Sequence, residues 1–310
     1  MTIAAGEREG FIEVVIVGDI YKESDEEFKV VLSNPQNATI SNGEGLGTIR
    51  NDDTFVDVPE DGYITPDNYA GYDLVWQDEF NGSALNTNDW THEIGASGWG
   101  NNEWQYYTDR EENAYLSDGN LIIEAKEEDY NGSSYTSARL ITKDKKTFTF
   151  GRVDIRAILP EGQGIWPALW MLGNNISSIG WPACGEIDIM ELIGHEPSTV
   201  HGTIHSGPQG QSWSNHIGNG YTLSSGKFSD EYHVFSIIWE YNSIKFLVDD
   251  NQYFSITDAD VSNAYPYPFN DEFFFIFNIA VGGNWPGYPD ATTEFPQRMI
   301  VDYIRIFQEN

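Results

Sequence analysis

Cysteine is nearly absent. The single thiol, Cys184, permits no intramolecular disulfide, so the fold must rest on core packing and, at most, a bound ion. Basic residues are scarce: 16 Lys and Arg stand against 49 Asp and Glu, a net charge of −33 that repels phosphate backbones and anionic lipid surfaces. The same shortage argues against sulfated galactans, whose recognition calls for several Arg or Lys, and leaves a neutral polymer as the better ligand. No apolar run is long enough to span a bilayer, and no long segment repeats with helical period.

What the chain has is strand signal and aromatics. Val153, Ile155 and Ala157 alternate with Asp154, Arg156 and Ile158, while Phe273 to Ile279 forms a continuous apolar-aromatic run suited to an interior strand. Asp249-Asp250-Asn251 lies between two apolar runs as a hairpin turn. Many short strands separated by turn residues predict an all-β sandwich. The aromatic share is 14 %, with ten Trp. An indole is costly in a core unless its N–H finds a partner, whereas its flat face suits the axial C–H face of a sugar, so some of these rings are expected to be platforms.

The segment Gly185-Glu186-Ile187-Asp188-Ile189-Met190-Glu191-Leu192 sets three carboxylates in an otherwise apolar strand. Alternation puts Glu186 and Asp188 on one face and would turn Glu191 to the other. One extra residue near Ile189 or Met190 slips the alternation and returns Glu191 to its partners. Two carboxyl groups flanking a scissile bond are what glycoside hydrolysis requires. Taken alone, an E-x-D-x-x-E run fits a metal site or a polar edge strand as well.

The surrounding motifs narrow the choice. Upstream lie Trp76-Gln77-Asp78-Glu79-Phe80-Asn81-Gly82, Gly98-Trp99-Gly100-Asn101-Asn102-Glu103-Trp104 and Gly164-Ile165-Trp166-Pro167-Ala168-Leu169-Trp170. Downstream come His201-Gly202-Thr203-Ile204-His205, Gly282-Gly283-Asn284-Trp285-Pro286-Gly287 and Val301-Asp302-Tyr303-Ile304-Arg305. With the acid strand, in this order, they resemble glycoside hydrolase family 16 over roughly Gly71 to Gln308, nearest its bacterial laminarinases, the endo-β-1,3-glucanases.

That resemblance implies a β-jelly-roll sandwich with a concave substrate cleft and a retaining mechanism on neutral β-glucan. It makes Glu186 the nucleophile and Glu191 the general acid and then base, with Asp188 between them. Asn102, Arg139, Trp166, Trp170, Trp181, His205 and Trp285 match substrate-contacting positions. Trp166 and Trp170, inside a strand-like run, suit core or cleft equally, whereas Trp181 and Trp285, flanked by Gly and Pro, are expected to face the cleft. The family also implies a structural Ca²⁺ away from catalysis, with ligands resembling Glu79, the Gly119 carbonyl and Asp302. His201 and His205 share a face but lack a nearby cysteine or an evident third ligand, so zinc is not expected.

Within the family, the extra residue between Asp188 and Glu191 favours the laminarinase branch over mixed-linkage β-1,3-1,4-glucanases. Intact acids argue against a non-catalytic β-glucan-binding module. A monomeric catalytic domain in a larger multidomain, extracellular protein is expected; Met1-Thr2-Ile3 has neither a basic nor an apolar leader region, which puts the signal peptide outside this chain.

Residues 1–53 are more acidic and differ in kind. Asp25 to Pro35 and Gly45 to Ile49 resemble the second half of a Calx-beta domain. Asp52 and Asp53 match part of that module's calcium cluster, but its first-half ligands are missing, and a solvated acidic tail is the expectation there. Residues 54–68, with Pro59, Gly62 and Pro66, read as a linker, and 69–310 as the catalytic domain.

Overall fold

Only a strand covered on both faces can bury an apolar run as long as Phe273–Val281. The computed structural model describes residues 1–310 except Asp19, Ile20, Tyr21, Glu23, Ser24, Asp52, Thr54, Phe55, Asp57 and Ser262, and it buries all nine residues of that run in one strand. The chain divides into a small unit, Met1–Asp57, and a large one, Val58–Asn310.

The small unit holds β1 (Glu26–Val31) and β2 (Glu44–Ile49), an antiparallel ribbon in which Phe28 faces Gly47. A Cβ at Gly47 would stand 2.3 Å from the Phe28 ring, so the glycine makes room for it. The two stretches singled out in the sequence thus pair with each other. Asp52, of the calcium-type pair, lies outside the described residues.

In the large unit the first strands are β3 (Tyr72–Asp78), β4 (Thr91–His92), β5 (Gln105–Tyr107), β6 (Ala114–Ser117), β7 (Asn120–Tyr130), β8 (Ser133–Ser137), β9 (Arg139–Ile141) and β10 (Gly151–Ile158). They continue with β11 (Ile165–Gly173), β12 (Glu186–Glu191), β13 (Thr199–Ser206), β14 (Asn215–Thr222), β15 (His233–Glu240), β16 (Ser243–Val248), β17 (Asn251–Thr257), β18 (Phe273–Val281) and β19 (Gln297–Glu309). A seven-stranded sheet has the order β14-β13-β12-β11-β18-β9-β4, and a ten-stranded sheet runs β17-β16-β15-β10-β19-β7-β8-β5, with β3 on β19 and β6 on β7. Among the described residues the α-helical content is one turn, Ile176–Ile179. This is the all-β jelly-roll sandwich the sequence implied. The β16–β17 connection is the expected hairpin, with Asp249 and Asp250 both at positive φ (51° and 60°), as a two-residue turn matched to strand twist requires.

The core fills the space between the sheets. Ile165, Leu169 and Met171 of β11, Ile187 of β12 and Phe273, Phe275, Phe277, Ile279 and Val281 of β18 meet Val153, Ile155, Phe235, Ile237 and Ile304 of the ten-stranded sheet. At about 1.5–3 kcal/mol per large buried apolar side chain, this cluster supplies the stability that disulfides cannot.

On β10 the outward residues Asp154 and Arg156 are buried, because residues 62–69 lie across them. Asp154 accepts hydrogen bonds from Tyr69 Oη (2.7 Å), Ser236 Oγ (2.6 Å) and Arg152 Nε (2.8 Å). Arg156 donates to the Tyr63 carbonyl and to Asp302, at 2.7 and 2.6 Å. Gly62 pairs with Tyr232, where a Cβ would come within 2.2 Å of a carbonyl oxygen. Residues 58–68 of the stretch read as a linker therefore lie in the large unit, whose border falls at Val58.

Phe275 packs centrally, its ring centroid 6.4 Å from Trp76 and 5.9 Å from Phe148. Phe275→Ala is expected to destabilise the large unit by roughly 3–5 kcal/mol, the usual cost of a phenyl-sized void. Denaturant unfolding followed by tryptophan fluorescence checks this; a loss under about 1 kcal/mol would show that the site collapses around the void.

Candidate active site

Backbone pairing decides which way the three acids point. On β11, Glu186, Asp188 and Glu191 lie opposite Leu172, Trp170 and Ala168, and on β13 opposite His205, Thr203 and His201. Both partner sets step by two, so each lies on a single face. The register shifts between Asp188 and Glu191, where Ile189 is the additional residue of a bulge. All three carboxylates consequently occupy the outer face of the seven-stranded sheet, while Ile187, Ile189 and Met190 enter the core.

The pairing extends into rows across the sheet. Glu191 shares a row with His201, Ala168, Asn278 and Arg139; Asp188 with Thr203, Trp170 and Ile276; Glu186 with His205 and His216. Every group in a row faces the same side, so residues distant in sequence line one trough.

Each outer carboxylate is held by an indole. Trp181 Nε1 donates to Glu186 Oε2 at 2.9 Å, and Trp166 Nε1 to Glu191 Oε1 at 3.0 Å. Asp188 is buried between them, with His205 Nε2 3.4 Å from its Oδ2 and 3.7 Å from Glu186 Oε1. The other imidazole nitrogen, Nδ1, is 2.9 Å from Ser214 Oγ.

Crowding and burial displace the proton affinities. Burial, followed by the charges of Asp188 and Glu186, pushes the Glu191 carboxyl well above the ordinary range. Glu186 is raised by burial and then by Asp188, while His205, the Trp181 indole and Arg139 pull it back. Asp188 is raised by burial, with His205 opposing. Burial alone would lower His205, but its contact with Asp188 and the charges of all three acids outweigh this and lift it to about 9. The cluster thus contains one imidazolium beside carboxyl groups that cannot all ionise at once.

The remaining sequence candidates stand around this centre. Trp166 and Trp170 are both on the outer face and half-buried, and Trp170 also packs against the buried cluster of Ile141, Leu172, Phe274 and Ile276. Trp170 Nε1 donates to Asn278 Oδ1 (2.8 Å), and its ring is covered by Arg139, whose guanidinium carbon lies 4.7 Å from the ring centre. Trp285, 41 % exposed, packs edge-on against Trp166 and His201 at 5.6 and 5.2 Å. Asn102 donates to Asn284 Oδ1 at 2.9 Å, tying the Gly98–Trp104 loop to the Trp285 loop.

Several supporting residues were missed. Asn278 joins Trp170 to Tyr107 Oη (3.1 Å), Glu93 accepts from Arg139 Nε (2.6 Å), and Ser214 meets His205. A signal existed for Asn278, the one polar residue in Phe273–Val281, since a buried amide demands partners. Glu93 and Ser214 lie in loop-like sequence that offers none.

Glu186, Asp188 and His205 bring ligand atoms within 4.8 Å of one another, the sole such His/Cys/Asp/Glu group of three among the described residues. The pairing with Trp181 and the imidazolium's charge explain the cluster without a metal. At the positions read as calcium ligands, the Glu79 carboxylate is taken by Arg305 (2.7 and 2.9 Å) and Asp302 Oδ2 by Arg156 (2.6 Å). The Gly119 turn between β6 and β7 has φ of 73°. Both carboxylates that the resemblance assigned to the ion are thus engaged by arginines, Glu79 through both oxygens and Asp302 through one.

Comparison with known proteins agrees with this geometry. Residues 100–305 match the model for Glycosyl hydrolases family 16. A β-glucanase of Rhodothermus marinus is 42 % identical over 247 residues, 76 % of this chain and 85 % of that protein. The laminarinase catalytic domain of Thermotoga maritima superposes with a TM-score of 0.73 at 46 % identity, covering 77 % of this chain and 99 % of that one. The endo-β-1,3-glucanase of Pyrococcus furiosus gives 0.73 and 46 %, covering 77 % and 95 %. An all-β sandwich, a bulged acid strand held by two indoles and these likenesses together make the chain a glycoside hydrolase, a member of glycosyl hydrolases family 16.

Proposed function

We propose that the chain cleaves internal β-1,3 bonds of a neutral, laminarin-type β-glucan outside the cell, with retention of anomeric configuration. The observation that carries this reading is the bulge at Ile189, which sets Glu186 and Glu191 on one face, each bonded to a separate indole. The names of the relatives above support the linkage.

In this mechanism the Glu186 carboxylate attacks the anomeric carbon as the glycosidic C–O bond breaks, and the Glu191 carboxyl delivers its proton to the departing oxygen. The glycosyl ester on Glu186 is then opened by water, whose proton returns to Glu191. The site's charges suit this division. Glu191, raised by burial and by two neighbouring acids, retains its proton, while the His205 imidazolium offsets part of the rise that burial and Asp188 impose on Glu186. Trp285, Trp166 and Trp181 offer stacking faces to pyranose rings, and Asn102 and Arg139 offer donors to sugar hydroxyls. The reading also includes an N-terminal half-module of Calx-beta type and a structural Ca²⁺ at Glu79, Gly119 and Asp302.

Glu186→Gln and Glu191→Gln are each expected to lower reducing-end release from laminarin by roughly 10²–10⁴-fold or more while the glucan still binds. Near-normal hydrolysis by either variant removes the mechanism. NMR of the first product should show the β-anomer, and lichenan cleaved as fast as laminarin would overturn the linkage preference.

The pH profile tests the role of His205. Its positive charge lowers the Glu186 pKa, so His205→Asn should raise that pKa and move the acidic limb of kcat/KM to higher pH. A limb that stays in place or moves to lower pH contradicts the assignment. For the cation, chelator should lower Tm by several degrees, about what 1–2 kcal/mol produces in a domain of this size, with recovery on adding Ca²⁺. An unchanged Tm excludes a stabilising ion.

A further inference from the structure

We propose that a groove on the ten-stranded sheet, separate from the three acids, binds a second stretch of neutral β-glucan. The choice of ligand rests on the glucanase reading above; the groove itself does not.

The cavity, about 430 Å³, opens where β3, β10, β15 and β19 end together. Tyr72, Phe150 and Tyr241 form aromatic walls, Trp239 forms a buried floor, and Glu240 and Glu309 stand at the rim. The acids of the cleft belong to the other sheet and to its outer face, so the groove is not an extension of that cleft.

Two features mark it as built. Tyr241 is 70 % exposed, although it packs edge-on against Phe150 at 6.2 Å, and Phe150 in turn meets Trp239 at 5.5 Å. Phe150 is also held at φ 65°, a left-handed conformation that a bulky residue keeps only when its surroundings impose it. Those surroundings are specific. Gln308 Nε2 donates to the Thr149 and Phe150 carbonyls (3.0 and 3.2 Å), and at Gly151 a Cβ would come within 2.4 Å of the Phe307 carbonyl oxygen.

The rim chemistry selects the ligand class. Carboxylate oxygens facing an aromatic wall accept hydroxyl protons while the rings take the C–H face, the usual division for a sugar. A polyanion is repelled by the rim and by the net charge of −33. A cationic ligand meets Lys245, whose Nζ already lies 2.8 Å from Glu240, while Tyr72 Oη lies 3.5 Å from Glu309. A polymer held at two places gains in effective concentration over one held only at the cleft.

The test compares the full chain with Tyr241→Ala and Tyr241→Phe on insoluble β-1,3-glucan and on soluble laminari-hexaose. Tyr241→Ala should lose roughly two- to tenfold in binding and hydrolysis of the insoluble polymer, keep parental kinetics on the hexaose, and keep the parental Tm. Tyr241→Phe, which retains the ring, should stay near parental on both. Equal activity of the alanine variant and the parent on insoluble polymer overturns the proposal. So does a Tyr241-dependent fluorescence change with tetramethylammonium and none with the hexaose. A parent chain inert on every glucan overturns the glucanase reading and this one with it; a parent active on both substrates but insensitive to Tyr241→Ala overturns the groove alone.

Discussion

The site depends on a single additional residue in one strand. Without the slip at Ile189, Glu191 would project into the core between the sheets, an ionisable group among Ile187, Met171 and Leu169 with no partner to offset its desolvation. With it, Ile189 and Met190 both enter the core and Glu191 emerges beside the other acids. A bulge costs ladder hydrogen bonds, and here the flanking strands stay in register with β12 on either side of it, so the irregularity is confined to one point in an otherwise continuous sheet.

The sheet then does the work of bringing distant residues together. Because cross-strand neighbours share a face, one row carries Arg139, Asn278, Ala168, Glu191 and His201, drawn from five strands. The inner face of the same strands, apolar apart from residues such as Ser206, supplies most of the stability, and a smaller buried cluster of Ile141, Leu172, Phe274 and Ile276 lies on the outer face. The acids and their partners are thus carried on the outer side without entering the interior packed between the sheets.

Much of this could be read beforehand, and the reasons differ by element. Alternation in Glu186–Glu191 exposed the conflict over Glu191 and located the bulge, since a carboxylate on the wrong face has only one inexpensive remedy. The all-apolar Phe273–Ile279 run marked an interior strand, and the two aspartates of Asp249-Asp250 marked the hairpin. What escaped was support from loops: Glu93 and Ser214 act through positions that only folding brings near Arg139 and His205. Residues 58–68, within the stretch read as a linker, and the adjoining Tyr69 were obscured for a related reason. Their Pro and Gly content reads as a linker, but Arg156 bonds to the Tyr63 carbonyl and Tyr69 to Asp154, interactions that leave no periodic trace in the sequence.

The indoles of Trp166 and Trp181 have a consequence for how such a cleft can diversify. In the proposed mechanism each ring is at once a wall for the ligand and the hydrogen-bond donor to a carboxylate, at 3.0 and 2.9 Å. Ligand preference and proton affinity are therefore pleiotropic traits of the same side chain. Replacing either ring to admit a bulkier or branched polymer would retune the chemistry in the same step, so lineages that change diet have freer rein at Trp285, which bonds to neither acid, than at the two rings that do.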